Sequence, residues 1–266
     1  MENEQKYALI TGATSGIGYE LAKLFAQDHY NLVIVARDEA ELSKTASELE
    51  NQFGITVTTF QKDLFNKEAA FEIYDETQAK GLNIDVLVNN AGQGQFGEFV
   101  DTDINRELDI IHLNICSTVI LTKSFAQDMV ARGDGKILNV ASIAGKVPGP
   151  FQAVYHGTKA FVHSFNEAVN NELKGTGVTL TSLLPGATDT DFFNKAEMLD
   201  SKIVQEGKLG DPAQVAKDGY DALMAGEDKV ISGMKNKMQV AMSNVTPDSA
   251  VAEMMHKQQE PVENKD

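Results

Sequence analysis

The sequence predicts an α/β protein built on a doubly wound, mostly parallel sheet of about seven strands flanked by helices. Three observations predict it. Short apolar runs rich in β-branched residues recur along the chain and read as strands buried on both faces. The stretches between them carry apolar residues at helical spacing, so the elements alternate, and right-handed crossovers wind them into one layered sheet. A chain of 266 residues with 42% hydrophobic content suits one large core.

Tyr7-Ala8-Leu9-Ile10 is the first strand and runs directly into Thr11-Gly12-Ala13-Thr14-Ser15-Gly16-Ile17-Gly18. Leu21, Ala22, Leu24, Phe25 and Ala26 then mark a helix. A strand, a glycine turn and a helix in that order can seat a dinucleotide's pyrophosphate, because free N–H groups and the helix dipole favour negative charge at a helix N-terminus. Gly12 can make the tight turn. Gly16 and Gly18 remove side chains where phosphate or a neighbouring strand comes close. Thr14 and Ser15 add hydroxyl donors. The spacing is Gly-x-x-x-Gly-x-Gly, not the commoner Gly-x-Gly-x-x-Gly, and a plain strand-to-helix turn is the competing reading.

Leu32 to Ala36 is the second strand. An acidic residue at its end would bond an adenosine ribose 2′-OH. The chain has Arg37 there, whose planar cation suits a phosphate, so NADP is expected in preference to NAD. The competing reading pairs Arg37 with Asp38 or Glu39. Glu39 to Glu50 reads as a helix, Ile55 to Phe60 as a third strand and Lys67 to Ala79 as a helix. Asp63 and Leu64 stand where an adenine ring could be held, by a hydrogen bond and by contact. Ile84 to Val88 is the fourth strand. Asn89-Asn90-Ala91-Gly92 closes it, with two amides that can tie the turn to neighbouring strands and small residues that admit a ligand.

Asp103 to Met129 carries a long helical pattern containing Asn114, a polar amide in an apolar stretch that needs partners and is either a satisfied core amide or a link in a proton path. Lys136 to Val140 is the fifth strand, and Ser142 follows at its C-terminal end, where doubly wound sheets bind ligands. Val147-Pro148-Gly149-Pro150-Phe151 is a loop able to bring Ser142 to Tyr155. Tyr155 and Lys159 fall one turn apart on a helix. A phenol titrates near ~10. A nearby ammonium favours the phenolate and is expected to lower that value, fitting the tyrosine to exchange a proton with a carbonyl or alcohol oxygen.

The chain resembles the classical short-chain dehydrogenase/reductase family from about Lys6 to Asp191, through Thr11-Gly12-x-x-x-Gly16-Ile17-Gly18, Asn89-Asn90-Ala91-Gly92, Asn114, Ser142, Tyr155-x-x-x-Lys159 and Pro185-Gly186. The resemblance implies a Rossmann-type domain that transfers hydride at nicotinamide C4. It implies Tyr155 as general acid/base, Lys159 acidifying it and holding the nicotinamide ribose, Ser142 orienting the substrate carbonyl, and Asn114 supporting a water relay to Lys159. It also implies no metal. Thr188 and Thr190 are both candidates for the carboxamide contact after Pro185-Gly186, with Thr190 favoured. In similar proteins the Asn114 and Tyr155 helices form dimer or tetramer contacts. The expected activity is therefore NADP-dependent interconversion of a carbonyl and an alcohol; the alternative is a non-enzymatic NADP-binding sensor or scaffold on the same fold.

In the remainder, the Tyr155 helix runs to Leu173, Val178 to Leu184 is the sixth strand, and Val230-Ile231 is a short last one. Residues 191–210 suggest a substrate lid. Asp211-Pro212 caps a helix, and Met234 to Met255 reads as helical, a core or interface segment. Residues 1–256 form one domain, with 257–266 expected to be a disordered tail. Phe96, Phe151, Phe192 and Phe193 lean toward a hydrophobic carbonyl substrate. His156 and Gly157 stand beside the Tyr155–Lys159 pair and can touch substrate; the remaining histidines read as structural or exposed.

A net charge of -16 disfavours nucleic-acid binding. Cys116, the single cysteine, excludes an internal disulfide and reads as a buried inert thiol. No unbroken apolar run approaches about 18 residues, so no membrane span is expected and the default location is cytoplasmic.

Overall fold

The computed structural model describes residues 5–262. Seven strands form one sheet: β1 (Tyr7–Thr11), β2 (Asn31–Ala36), β3 (Val57–Gln61), β4 (Ile84–Asn89), β5 (Gly135–Val140), β6 (Val178–Leu184) and β7 (Lys229–Ile231). Their order is β3-β2-β1-β4-β5-β6-β7, and every pair is parallel. The sheet expected from the sequence is thus present. The third strand begins two residues later than its apolar run suggested and extends to Gln61.

Strand side chains alternate between the two faces. Ala8 and Ile10 of β1 enter one core, Leu9 the other. On the first face lie α1 (Gly16–Gln27), α2 (Glu39–Phe53) and α9 (Pro212–Ala225), supplying Leu21, Phe25, Leu42, Leu49, Tyr220 and Leu223. The second face holds α3 (Ala69–Ala79) and the long helix of the centre. Caps define the ends: Asp38 accepts from the Glu41 N–H at 2.9 Å, and Asp211, with Pro212 in the first turn, accepts from Ala213 at 2.9 Å.

The long helix comprises α4 (Ile104–Ile111), a π-helical turn (His112–Cys116) and α5 (Ser117–Arg132). By length and composition it could cross a membrane. Polar residues interrupt it, so it holds no long unbroken apolar run. In this fold Leu113, Leu121, Phe125 and Met129 pack into the second core. Cys116 ends the π turn and is half-buried, not the buried thiol expected.

The remaining helices are α6 (Ala153–Glu172), α7 (Phe192–Lys195), α8 (Lys202–Gln205), α10 (Met234–Ser243) and α11 (Asp248–Gln259). Two expectations are corrected here. The segment from Met234 to Met255 is two helices, because Asn244 to Pro247 interrupts it and a proline is disfavoured inside a helix. The polar segment expected to be a disordered tail is ordered through Val262. Helix α11 continues to Gln259, Pro261 bridges Ser201, and Lys202 pairs with Glu260 at 2.6 Å. Polar composition concealed this, since Val251 and Met255 anchor the helix on Val147 far back in the chain. Residues 263–266 lie outside the described residues.

Candidate active site

The strand order reverses between β1 and β4, and the crevice beyond their C-terminal ends is where open α/β sheets take ligands. A cavity of about 1040 Å³ occupies it, running from the glycine turn to the helices after β6. Every residue predicted to catalyse or to hold the cofactor lines this cavity except Gly18 and Asn114; of the substrate-side candidates, Gly157, Phe96 and Phe151 do not line it.

Gly12 and Gly16 adopt φ of 65° and 54°, the left-handed region that favours glycine. Gly18 is needed for space: a Cβ there would lie 2.2 Å from the Gly12 carbonyl oxygen and 2.4 Å from Asn90 Nδ2. The turn is pinned from β4. Asn90 Nδ2 donates to the carbonyls of Thr11 at 2.9 Å and Gly12 at 3.0 Å, and the Asn90 and Ala91 N–H groups both donate to Thr11 Oγ1 at 3.0 Å. Asn89 donates to Asn139 at 2.8 Å and Thr122 at 3.0 Å. Both amides therefore tie strands together. Ser15 sits at the N-cap of α1 but makes no side-chain cap bond, so its hydroxyl faces the crevice uncommitted.

At the far end, Arg37 is exposed, and its guanidinium lies 5.4 Å from the centre of the Phe65 ring, which Arg106 also approaches at 4.9 Å. Among the described residues Arg37 forms no ion pair with Asp38 or Glu39. Thr14 Oγ1 donates to Glu41 at 3.2 Å, placing a carboxylate at the same rim. Asp63 accepts from the Phe65 N–H at 3.1 Å, and Leu64 is buried beside it.

Ser142, Tyr155 and Lys159 meet in the middle. Ser142 leaves β5 and accepts from the Ala144 N–H at 3.0 Å. Tyr155 and Lys159 come from the first turns of α6. Lys159 Nζ lies 5.8 Å from the Tyr155 ring centre and donates to the Val140 carbonyl at 2.8 Å. Burial pushes the Tyr155 phenol up to about 12, with the Ser142 hydroxyl beside it pulling the other way. Burial brings Lys159 down to about 8. The expected acidification of the phenol is therefore reversed: burial raises it, and the opposing pull comes from the Ser142 hydroxyl. Tyr155 is protonated at neutral pH, the form able to give a proton.

Asn114 occupies the π turn and is 2% exposed. Its Nδ2 donates to the Gln93 carbonyl and to Thr158 Oγ1, each at 2.9 Å, and its Oδ1 accepts from the Gln93 N–H at 3.1 Å. It is a satisfied core amide, and Oδ1 and Lys159 Nζ both flank Gly92.

Thr188 is buried and donates to the Gly186 carbonyl at 2.9 Å. Thr190 stands over the glycine turn: a Cβ on Gly16 would lie 2.8 Å from its Cγ2. Phe192 approaches Tyr155 at 5.0 Å between ring centres, and with Phe193 and Met198 it gives the substrate end an apolar wall. Phe96 and Phe151 do not reach this cavity. They line a smaller one of about 380 Å³ with His256. His156 is buried, its Nδ1 held 2.9 Å from the Val147 carbonyl oxygen. Among the described residues no cluster of side chains could hold a metal ion. Sequence reasoning missed Thr11, Gln152 and Gln259. Thr11 stood inside the glycine motif, but its β4 partners are distant in sequence; Gln259 lay in a stretch whose composition carried no signal.

A family model for short chain dehydrogenases matches residues 6–199. The chain belongs to the short-chain dehydrogenase/reductase family. The very-long-chain 3-oxoacyl-CoA reductase of Laccaria bicolor is 36% identical over 66% of this chain, and the match spans only 53% of that reductase. The chain thus spans about half the length of such curated relatives. Among solved structures, a short-chain dehydrogenase from Sphingobium yanoikuyae in complex with NADPH is 28% identical, with a TM-score of 0.81 over 90% of this chain and 94% of that one. A bulky-bulky ketone specific alcohol dehydrogenase from Comamonas testosteroni is also 28% identical, with a TM-score of 0.77 over 91% and 94% of the two chains. Family membership agrees with the strand order and with the crevice that gathers the short-chain dehydrogenase/reductase motifs.

Proposed function

We propose that the protein is an NADP-dependent oxidoreductase interconverting a carbonyl compound and an alcohol. The observation that carries this reading is the convergence of Ser142, Tyr155 and Lys159 in one cavity with the glycine turn. The residues present fit a dinucleotide. Two glycines take left-handed φ, Gly18 leaves room for the turn, and the N-terminus of α1 opens on the crevice with an uncommitted serine. Gly12, Thr14, Ser15, Gly16, Ile17 and Asn90 to Gly92 would hold the pyrophosphate and central part; Asp63 and Leu64 the adenine; Lys159, Pro185, Gly186, Thr188 and Thr190 the nicotinamide end. When bound, the nicotinamide supplies or accepts the hydride.

In the reducing direction Tyr155 gives its phenolic proton to the carbonyl oxygen, the Ser142 hydroxyl bonds that oxygen as negative charge grows, and Lys159 holds positive charge nearby. In oxidation the same proton returns to Tyr155. Arg37 supports NADP over NAD, because its guanidinium is exposed at the adenosine end and free of the competing ion pairs among the described residues. The apolar wall of Phe192, Phe193 and Met198 favours a hydrophobic carbonyl compound, and residues 191–210 are suited to close over it. Exposed Ile104, Leu108 and Phe161 on α4 and α6 favour a homo-oligomer.

The test is NADPH oxidation against a panel of ketones and aldehydes with wild type and Tyr155→Phe. The variant is expected to lose about 10²–10⁴-fold in turnover while still binding NADPH in a fluorescence titration. Near-normal turnover by Tyr155→Phe would remove the phenol from the mechanism.

A further inference from the structure

The C-terminal helix contributes to the substrate end through Gln259. This side chain is 2% exposed, and its Nε2 lies 3.1 Å from Nε2 of His156, the neighbour of Tyr155. The far side of the imidazole decides which atom donates. His156 Nδ1 faces the Val147 carbonyl oxygen, which can only accept, so Nδ1 carries the hydrogen. Burial lowers the affinity of the ring for a second proton. In the neutral ring Nε2 is an acceptor, so Gln259 must turn its NH2 toward it. The amide oxygen then points elsewhere.

That oxygen, Gln259 Oε1, is buried and without a hydrogen-bond partner among the described residues, and Gln259 lines the main cavity. A second orphan lines the same cavity. Gln152, 5% exposed and at the N-cap of α6, has a buried Nε2 with no partner. It lies close to Gly94: a Cβ there would lie 3.1 Å from Gln152 Nε2, 3.4 Å from Tyr155 Cδ2 and 3.0 Å from Phe192 Cζ. The amide therefore stands beside the proton-donating ring and the apolar wall. Buried polar groups are almost always paired, and two orphans lining one cavity call for a ligand group.

We propose that Gln152 and Gln259 form a second polar recognition point, and that the preferred substrate is a ketone or aldehyde bearing a hydroxyl near its carbonyl. The hydroxyl donates to Gln259 Oε1 and accepts from Gln152 Nε2. His156 is a positioning residue: by accepting from the Gln259 NH2 it leaves Oε1 as the free end of that amide. This inference rests on the carbonyl-reductase reading above and names its substrate class.

The test uses paired probes with the full chain and NADPH: acetophenone against its α-hydroxy derivative, and butyl methyl ketone against its α- and β-hydroxy derivatives. Wild type is expected to favour a hydroxylated member in kcat/KM by about tenfold or more. Gln259→Met and Gln152→Met, which keep volume and remove the amide, are each expected to collapse that ratio toward one. The ratio is independent of how much enzyme folds, and the two variants lie on separate elements. As a readout apart from turnover, the hydroxylated probes should raise the wild-type melting temperature more than their parent ketones do, and this excess should vanish in both variants. Equal kcat/KM for the members of each pair in wild type overturns the proposal alone. So does a preference that survives both substitutions, which would assign the orphans to water. Turnover of neither member of any pair overturns the proposal together with the carbonyl-reductase reading.

Discussion

Asn114 donates to Thr158 Oγ1 at 2.9 Å, and Thr158 in turn donates to the Tyr155 carbonyl at 2.7 Å. The π turn of the central helix is thereby fastened to the turn of α6 that carries the phenol. Asn114→Leu breaks this link and leaves the Gln93 N–H and carbonyl without their partner. A buried group so orphaned costs about 1–3 kcal/mol, which a urea unfolding curve will register. Turnover is expected to fall by on the order of 10–100-fold as the phenol loses its alignment. An unfolding midpoint equal to that of wild type would contradict this account of Asn114.

Gly18 presents a separate steric case. Its backbone needs no unusual φ, yet a Cβ would meet the Gly12 carbonyl oxygen at 2.2 Å. Backbone cannot swing aside as a side-chain tip can. Gly18→Ala is expected to cost about 1–3 kcal/mol through overpacking and to weaken NADPH binding in a titration, because the turn itself must move. Unchanged stability and binding would show that the turn has slack absent from this packing.

For Arg37, the expected outcome of Arg37→Ala is a larger loss for NADPH than for NADH, by about tenfold or more, since a charged hydrogen bond is worth about 1.5–3 kcal/mol. Glu41, beside Thr14 at the same rim, repels a 2′-phosphate, so Glu41→Gln should move the preference the other way. Binding titrations with both nucleotides check this, and equal losses for the two in Arg37→Ala would overturn the assignment of NADP preference to Arg37.

Lys159 makes the pH dependence specific. With its ammonium brought down to about 8 by burial, the site is positively charged below that pH and loses the charge as pH rises through it. The phenol, at about 12, stays protonated throughout this window. Reduction followed as kcat/KM is therefore expected to be flat through neutrality and to fall above about pH 8, with Lys159 as the group responsible. In Lys159→Arg, whose cation does not titrate there, the fall near that pH should disappear. A profile with the same break in both proteins would assign it to another group.

The sheet and much of the candidate site were legible in the sequence. Apolar runs, the glycine turn, Asn89-Asn90-Ala91-Gly92 and Tyr155-x-x-x-Lys159 are local patterns, and the contacts they imply fall within one or two elements. Asp211 caps its helix as expected because capping is decided within three residues of chain. What was misread depended on distant partners. Polar composition predicts a disordered tail over 257–266, but Val251 and Met255 on Val147, and Gln259 on His156, hold residues 257–262 in place. The direction of the Tyr155 shift escapes the sequence for a related reason: spacing reveals the lysine, while the depth of burial that raises the phenol is a property of the packed molecule.

The amino-acid sequence by itself determined the alternation of elements, the family motifs and the identity of the neighbours of Tyr155 along α6, because hydrophobic period and turn chemistry are written residue by residue. Tertiary structure alone decided that Gln259 packs on His156 at the cavity, that Asn114 is fully bonded and that the phenol is held protonated. Each of these depends on desolvation or on a hydrogen bond between segments far apart in the chain, and such encounters exist only after the sheet has brought those segments together.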